Sequence, residues 1–206
     1  MSSFLSQLEW RHATKGFDSS KKLSDGDLKK ILNSIRMAPT SFGLQPFHVE
    51  VITNDELKKT LQPHAWHQKQ IVTCSHLLVF VARNDIEKRI DDYFNLISGG
   101  NADARAKLKD YEGMMKGSFA PRTADEKKTW AQKQAYIALG FALAACAELS
   151  VDSCPIEGFL PAEFDKHLNL KPSESASVVL AIGYRDPAVP NLPKARFSEK
   201  DLFHYK

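Results

Sequence analysis

The chain has 206 residues, enough for one domain with a full core. Hydrophobic residues make up 43% and charged residues 26%, and a formal charge of +3 without a long Lys/Arg run argues against a nucleic-acid partner while leaving small anions as ligands. The N-terminus shows no basic-then-apolar leader, and the most apolar stretch, Ala135 to Leu149, is shorter than the roughly 20 residues that span a bilayer, so no membrane association is expected. In chain order, Ser24-Asp25-Gly26-Asp27 opens a helix on which Leu28, Ile31, Leu32 and Ile35 fall at helical spacing, and Pro39 stops it. Pro46 restarts the chain in extended form, with Phe47, Val49 and Val51 in a strand, and Asn54 caps a short helix through Leu61. A second short helix is expected from Trp66 to about Thr73, followed by a central strand over His76 to Ala82, an almost continuous apolar run. Residues from about Asp85 to Lys116 read as charged helix broken at Gly99-Gly100. A long helix from about Thr123 to Ser150 turns apolar nearly all round after Tyr136, which predicts deep burial. Val151 to Cys154 reads as a short strand, Pro161 to Leu168 as a helix and Ser177 to Tyr184 as a buried strand, and three prolines argue against regular structure from Asp186 to Lys206.

Irregular alternation of helices with few strands gives an α+β protein, a sheet wrapped by helices. One domain of this size has little interior for a helix apolar on every face, and a helix-rich homodimer interface would cover it. Cys74, Cys146 and Cys154 are odd in number and widely spaced, which points to reduced thiols in a cytoplasmic protein.

Two basic groups stand at opposite ends: Arg11-His12-Ala13-Thr14-Lys15, and Lys194-Ala195-Arg196 in the Pro-rich tail. Each reads alone as solvated surface. Converging, they would hold one phosphate, Arg by a fork of donors and Lys as a point charge. Pro39-Thr40-Ser41 is a helix stop whose hydroxyls and free N–H groups can also cradle an anion. Pro155-Ile156-Glu157-Gly158 reads alone as a turn. His64 and His67 have a spacing that suits two imidazoles on one metal, but no Cys or second His pair lies nearby, and no metal is expected.

In that order and separation these segments, with Phe42 to Phe47 following Ser41, resemble the FMN-dependent nitroreductase family, near the oxygen-insensitive nitroreductase and dihydropteridine reductase branch. The resemblance runs from Arg11 to Arg196. It implies one nitroreductase-like domain over residues 1–206, with a central, mainly antiparallel sheet wrapped by helices. It also implies an intertwined homodimer in which about 186–206 cross to the other subunit. By position, Arg11, Lys194 and Arg196 become FMN phosphate ligands, with His12 and Ala13 in the same cofactor-binding segment. Lys15, His67 and Gln70 lie at the flavin pyrimidine edge, and Pro155, Ile156, Glu157 and Gly158 pack on the flavin face. Pro39, Thr40 and Ser41 reach the flavin of the partner subunit. The substrate pocket draws on Lys15, His67, Phe42 and Tyr111. The chain departs from the family where Ser is common at Ala13, and Asn at Phe42 and His67.

The activity so implied is ping-pong hydride transfer from NADH or NADPH, through flavin N5, to nitroaromatic, quinone or similar flat electron-poor acceptors. No side-chain nucleophile is required, and Lys15 gives electrostatic support. Two rivals stay open: another flavin enzyme on the same scaffold, of the dehalogenase or flavin-consuming type, and a non-catalytic flavin-binding protein.

Overall fold

The structure is a computed structural model that describes residues 4–190 and 192–206. Met1 to Ser3, where a leader would begin, lie outside the described residues. A short helix α1 (Phe4–Trp10) precedes α2 (Asp25–Arg36), whose N-cap Ser24 accepts from the Asp27 amide as its sequence suggests. Strand β1 (Phe47–Ile52) leads to α3 (Asp55–Leu61), capped by the Asn54 side chain on the Leu57 amide. Helix α4 (Lys69–Thr73) and strand β2 (His76–Arg83) follow. The helical excursion is α5 (Ile86–Ile97), α6 (Ala102–Ala106) and α7 (Lys109–Phe119), interrupted at Gly99 and Gly100, both at positive φ. Helix α8 (Ala124–Glu148) starts in a Thr123/Glu126 capping box. Strand β3 (Asp152–Ile156), α9 (Pro161–His167), β4 (Glu174–Gly183) and α10 (Glu199–Leu202) complete the chain.

The four strands form one antiparallel sheet in the order β1-β2-β4-β3. Strand β2 is paired on both edges and covered on both faces, which is why its sequence is apolar without alternation. Successive residues feed opposite cores. Leu77, Val79, Val81, Val179 and Ala181 meet Leu61 of α3, Ile71 of α4 and Phe164 of α9. Leu78, Phe80, Val178 and Leu180 meet Ile31 and Ile35 of α2 and Ala135, Ala138 and Ala142 of α8. The α5–α7 excursion builds a separate cluster around Phe94, Met115 and Phe119.

Three expectations are corrected. The helix expected from Trp66 begins only at Lys69, because Trp66 and His67 both adopt φ 53° and turn the chain left-handed after the Pro63–Ala65 turn. Helix α8 is not buried on all sides: α2 and the sheet cover one face, while Tyr136, Ile137 and Phe141 stay about two-fifths exposed at 38%, 40% and 41%. The Pro-rich tail does contain regular structure, one helical turn at Glu199–Leu202, closed by Ser198 and Asp201 beyond the last proline. Helix α1 was not anticipated; it buries no residue and so leaves a weak pattern.

Candidate functional site

A buried carboxylate brings the first basic segment to the sheet. Asp152, at the start of β3, accepts from the Arg185 amide at 2.8 Å, from Arg185 Nε at 2.6 Å and from Thr14 Oγ1 at 3.2 Å. The Thr14 amide donates to Ser153 O at 3.1 Å, so residues 13 and 153 form a parallel bridge. Residues 11–15 thus run alongside β3. The tail returns to the same segment: the Asp186 amide donates to Gly16 O at 3.1 Å, and Lys194 Nζ donates to Leu8 O at 2.9 Å and also to Glu9 O.

The two basic groups therefore converge. A cavity of about 270 Å³ is lined by Arg11, His12, Ala13 and Lys15 on one side and by Leu192, Pro193, Lys194, Ala195 and Arg196 on the other. Burial, then the proximity of Arg196, depresses the Arg11 pKa. Burial, then Arg11 and Arg196, depresses that of Lys194. Arg11 Nη1 is buried with no hydrogen-bond partner. Like charges pressed together around an unsatisfied donor are costly unless an anion joins them. A phosphate, with several acceptor oxygens and about two negative charges, matches this donor set.

A second group lies further along β3. Cys154 Sγ accepts from Lys15 Nζ and from Gln70 Nε2, each at 3.8 Å. Gln70 donates to Gln68 Oε1 at 2.8 Å, and Gln68 donates to Gly158 O at 2.7 Å. A polar chain thus joins Lys15 to the Pro155–Gly158 turn. Burial pushes the Cys154 thiol up, against the opposing pull of Lys15, so the sulfur is a neutral acceptor and not a nucleophile. Glu157 is exposed and accepts from Tyr136 Oη of α8 at 2.5 Å. Gly158 is needed for close packing: a Cβ there would lie 2.1 Å from Trp66 Cζ3.

Within one chain the cavity gathers Arg11, His12, Ala13, Lys15, Lys194 and Arg196, but not Pro39, Thr40 or Ser41. Those three belong to a turn secured elsewhere, with the Ser41 amide on Gln134 Oε1 at 2.9 Å and Thr40 Oγ1 accepting from the Gln45 amide at 3.0 Å. Gln70 is buried on α4, Pro155 and Ile156 end β3, and His67 is exposed with its amide on Gln62 O at 3.0 Å. Phe42 packs edge-on against Phe119 at 6.0 Å and joins the α5–α7 cluster, and the partly exposed Tyr111 of α7 abuts that cluster at Phe94, 5.5 Å away. Sequence reasoning missed Trp66, Gln68, Cys154 and Tyr136. Trp66 and Gln68 flank His67, and Cys154 directly precedes Pro155, which is the one local signal they offered.

The comparisons agree with this architecture. The model of the Nitroreductase family matches residues 8–184. A Staphylococcus epidermidis protein named "Putative NAD(P)H nitroreductase" is 36% identical over 211 residues, covering 95% of this chain and 93% of that protein. The Major NAD(P)H-flavin oxidoreductase of Aliivibrio fischeri is 34% identical over 209 residues, covering 95% and 94%. Among solved structures, an Exiguobacterium sibiricum protein crystallised in complex with FMN superposes at TM-score 0.85 with 19% identity, over 100% of this chain and 98% of that one. With a matching sheet, a family match across most of its length and relatives over a third identical, the chain belongs to the nitroreductase family.

Proposed function

We propose that this protein is an FMN-dependent NAD(P)H oxidoreductase that reduces flat, electron-poor acceptors such as nitroaromatics and quinones. The observation that carries the reading is the cavity in which Arg11, Lys194 and Arg196 converge and Arg11 Nη1 lacks a partner. The names of the Staphylococcus and Aliivibrio relatives, and the FMN held by the Exiguobacterium neighbour, support it.

In this reading Arg11, Lys194 and Arg196 hold the FMN phosphate. FMN, when bound, supplies the hydride chemistry, accepting from NAD(P)H and passing on to the acceptor in a ping-pong cycle. Lys15 contributes a positive charge on the Cys154 and Gln70 side, where it favours negative charge building up nearby. Gln68 and Gln70 orient that side by their chain to Gly158. Tyr136 holds the Glu157 carboxylate, so Glu157 serves as a fixed acceptor and not as an acid or base. The acceptor pocket in this reading also draws on His67, Phe42 and Tyr111, with Phe42 and Tyr111 standing on the α5–α7 side of the chain.

The reading includes a homodimer. The Tyr136, Ile137 and Phe141 stripe of α8 is apolar and exposed, and the tail beyond Arg196 carries exposed Phe197, Leu202, Phe203 and Tyr205. These surfaces support a tail that crosses to a second subunit and a Pro39–Ser41 turn that meets the partner's cofactor. Among the described residues no helix is long and apolar enough to cross a membrane. Heating the purified protein and chromatographing the supernatant tests the cofactor. Recovery of FMN supports the reading, and recovery of FAD, or failure to take up FMN on reconstitution, contradicts it.

A further inference from the structure

The sequence pairs His64 with His67, but the fold pairs it with His167. His64 sits in the Pro63–Ala65 turn, while Glu163 and His167 occupy successive turns of α9. His64 Nε2 lies 3.9 Å from Glu163 Oε2, and His167 Nε2 lies 4.0 Å from the same oxygen. One ligand atom from each of the three residues falls within 4.8 Å of the others, and the two imidazole rings stand 5.1 Å apart with a 33° tilt. Among the described residues this is the one cluster of three His, Cys, Asp or Glu side chains with such spacing.

We propose that His64, Glu163 and His167 bind a divalent cation of the zinc class, separately from the cationic cavity. Two imidazole nitrogens and one carboxylate oxygen are the donor set that suits Zn²⁺, Co²⁺ or Ni²⁺, with water completing the shell. Donors about 2.0–2.1 Å from a tetrahedral ion stand roughly 3.3 Å from one another. The carboxylate-to-imidazole separations of 3.9 and 4.0 Å are a little longer than that, and none of the three residues is fully buried, which leaves their side chains room to close around an ion. Their backbones are fixed. Ala65 and Phe164, the neighbours of His64 and Glu163, are fully buried in one core, and the Leu160 amide donates to His64 O at 2.8 Å. The opposing group is Lys166, whose Nζ stands 4.0 Å from Glu163 Oε2 on the solvent side and swings away at little cost because it is exposed. An ion here clips the Pro63–Gln68 segment to α9. That segment carries Trp66 and Gln68 against Gly158, so occupancy stiffens one wall beside the proposed cofactor site.

The test uses tag-free, chelator-treated protein with its flavin retained, titrated with Co²⁺ by absorbance and with Zn²⁺ by calorimetry. One saturable equivalent per chain is expected. His64→Ala and His167→Ala should each weaken binding by more than the roughly 10–100-fold that losing an outer-shell partner costs. His48→Ala, on β1 beside Glu50, should leave the titration unchanged. Circular dichroism confirms that each variant is folded, and the conservative His167→Gln gives a second reading at that position. Zinc should also slow hydrogen exchange of the amides at 64–68 in the wild type. Absence of saturable binding below millimolar metal overturns the proposal, as does unchanged affinity in the His64→Ala/His167→Ala variant. Neither outcome bears on FMN binding, which the cationic cavity carries.

Discussion

The Lys194 ammonium donates to the main-chain carbonyl of Leu8 at 2.9 Å, closing a separation of 186 residues. This contact brings the tail's cations onto the segment that carries Arg11. It also opposes electrostatics: after burial, Arg196 lowers the Arg11 pKa, and Arg11 and Arg196 lower that of Lys194. A fold that holds them there without an anion pays for repulsion, and a bound phosphate removes it.

Arg196→Ala should therefore weaken FMN binding by about 1.5–3 kcal/mol, or roughly 10–150-fold, the range for a hydrogen bond to a charged group. Fluorescence titration of the apoprotein measures this. The same substitution should change riboflavin affinity far less, since riboflavin has no phosphate. Equal losses for both flavins would place Arg196 away from the phosphate.

Gly158→Ala should displace Trp66 without unfolding the protein. The added methyl overlaps the indole at 2.1 Å, and the indole is the far end of a side chain that is 67% exposed. Tryptophan emission should shift in the Gly158→Ala protein and stay put when the same change is made in a Trp66→Phe background. A shift that persists in that background would mean that the backbone moves instead.

Lys58→Met should destabilise the fold by about 2–4 kcal/mol, because it strands buried acceptors. Lys58 has a fully buried side chain that donates to Cys74 O at 2.9 Å, Ser75 O at 3.1 Å and Asp55 Oδ1 at 3.2 Å. Urea unfolding gives the number. A loss below about 1 kcal/mol would mean that water replaces the ammonium.

Tyr136 is only partly covered, at 38% exposed, yet the loss of water around its phenol first and its hydrogen bond to Glu157 second push it up to about 12. The folded state keeps the proton longer than the unfolded chain does. The stability this contributes is therefore complete below about pH 10 and is lost as pH rises from about 10 to about 12. Ultraviolet titration, taken as the difference from Tyr136→Phe, should show this high value in the wild type. Glu157→Gln should lower it only in part, since burial persists. A phenol titrating near 10 in the wild type would contradict the packing.

Local chemistry made much of the fold legible. Ser24, Asn54 and Thr123 each cap the helix that their position announced, and the unbroken apolar run of β2 marked a strand covered on both faces. What stayed hidden depends on distant partners. Nothing near Trp66 shows that a left-handed turn will lay its ring against Gly158, 92 positions on. Phe42 looks like a loop residue until Phe119 supplies its neighbour, and Cys154 looks inert until Lys15 and Gln70 arrive beside it. The apolar face of α8 was readable as a pattern, but the single chain covers only the side toward α2 and the sheet and leaves Tyr136, Ile137 and Phe141 partly exposed.

A homodimer would cover that face. Light scattering at micromolar concentration should give twice the 23.1 kDa chain mass, and Phe141→Glu should shift the protein toward monomer by burying a charge in the interface. A flavin-loaded wild-type monomer would remove the second subunit from the account.

The most direct test is anaerobic mixing of the flavin-loaded protein with NADH or NADPH, followed by a nitroaromatic or a quinone. The proposed function requires the flavin absorption band to bleach with one equivalent of reduced nicotinamide and to return when the acceptor is added. A band that neither nucleotide bleaches, in protein shown to retain FMN, would contradict it and leave a flavin-binding protein without this turnover.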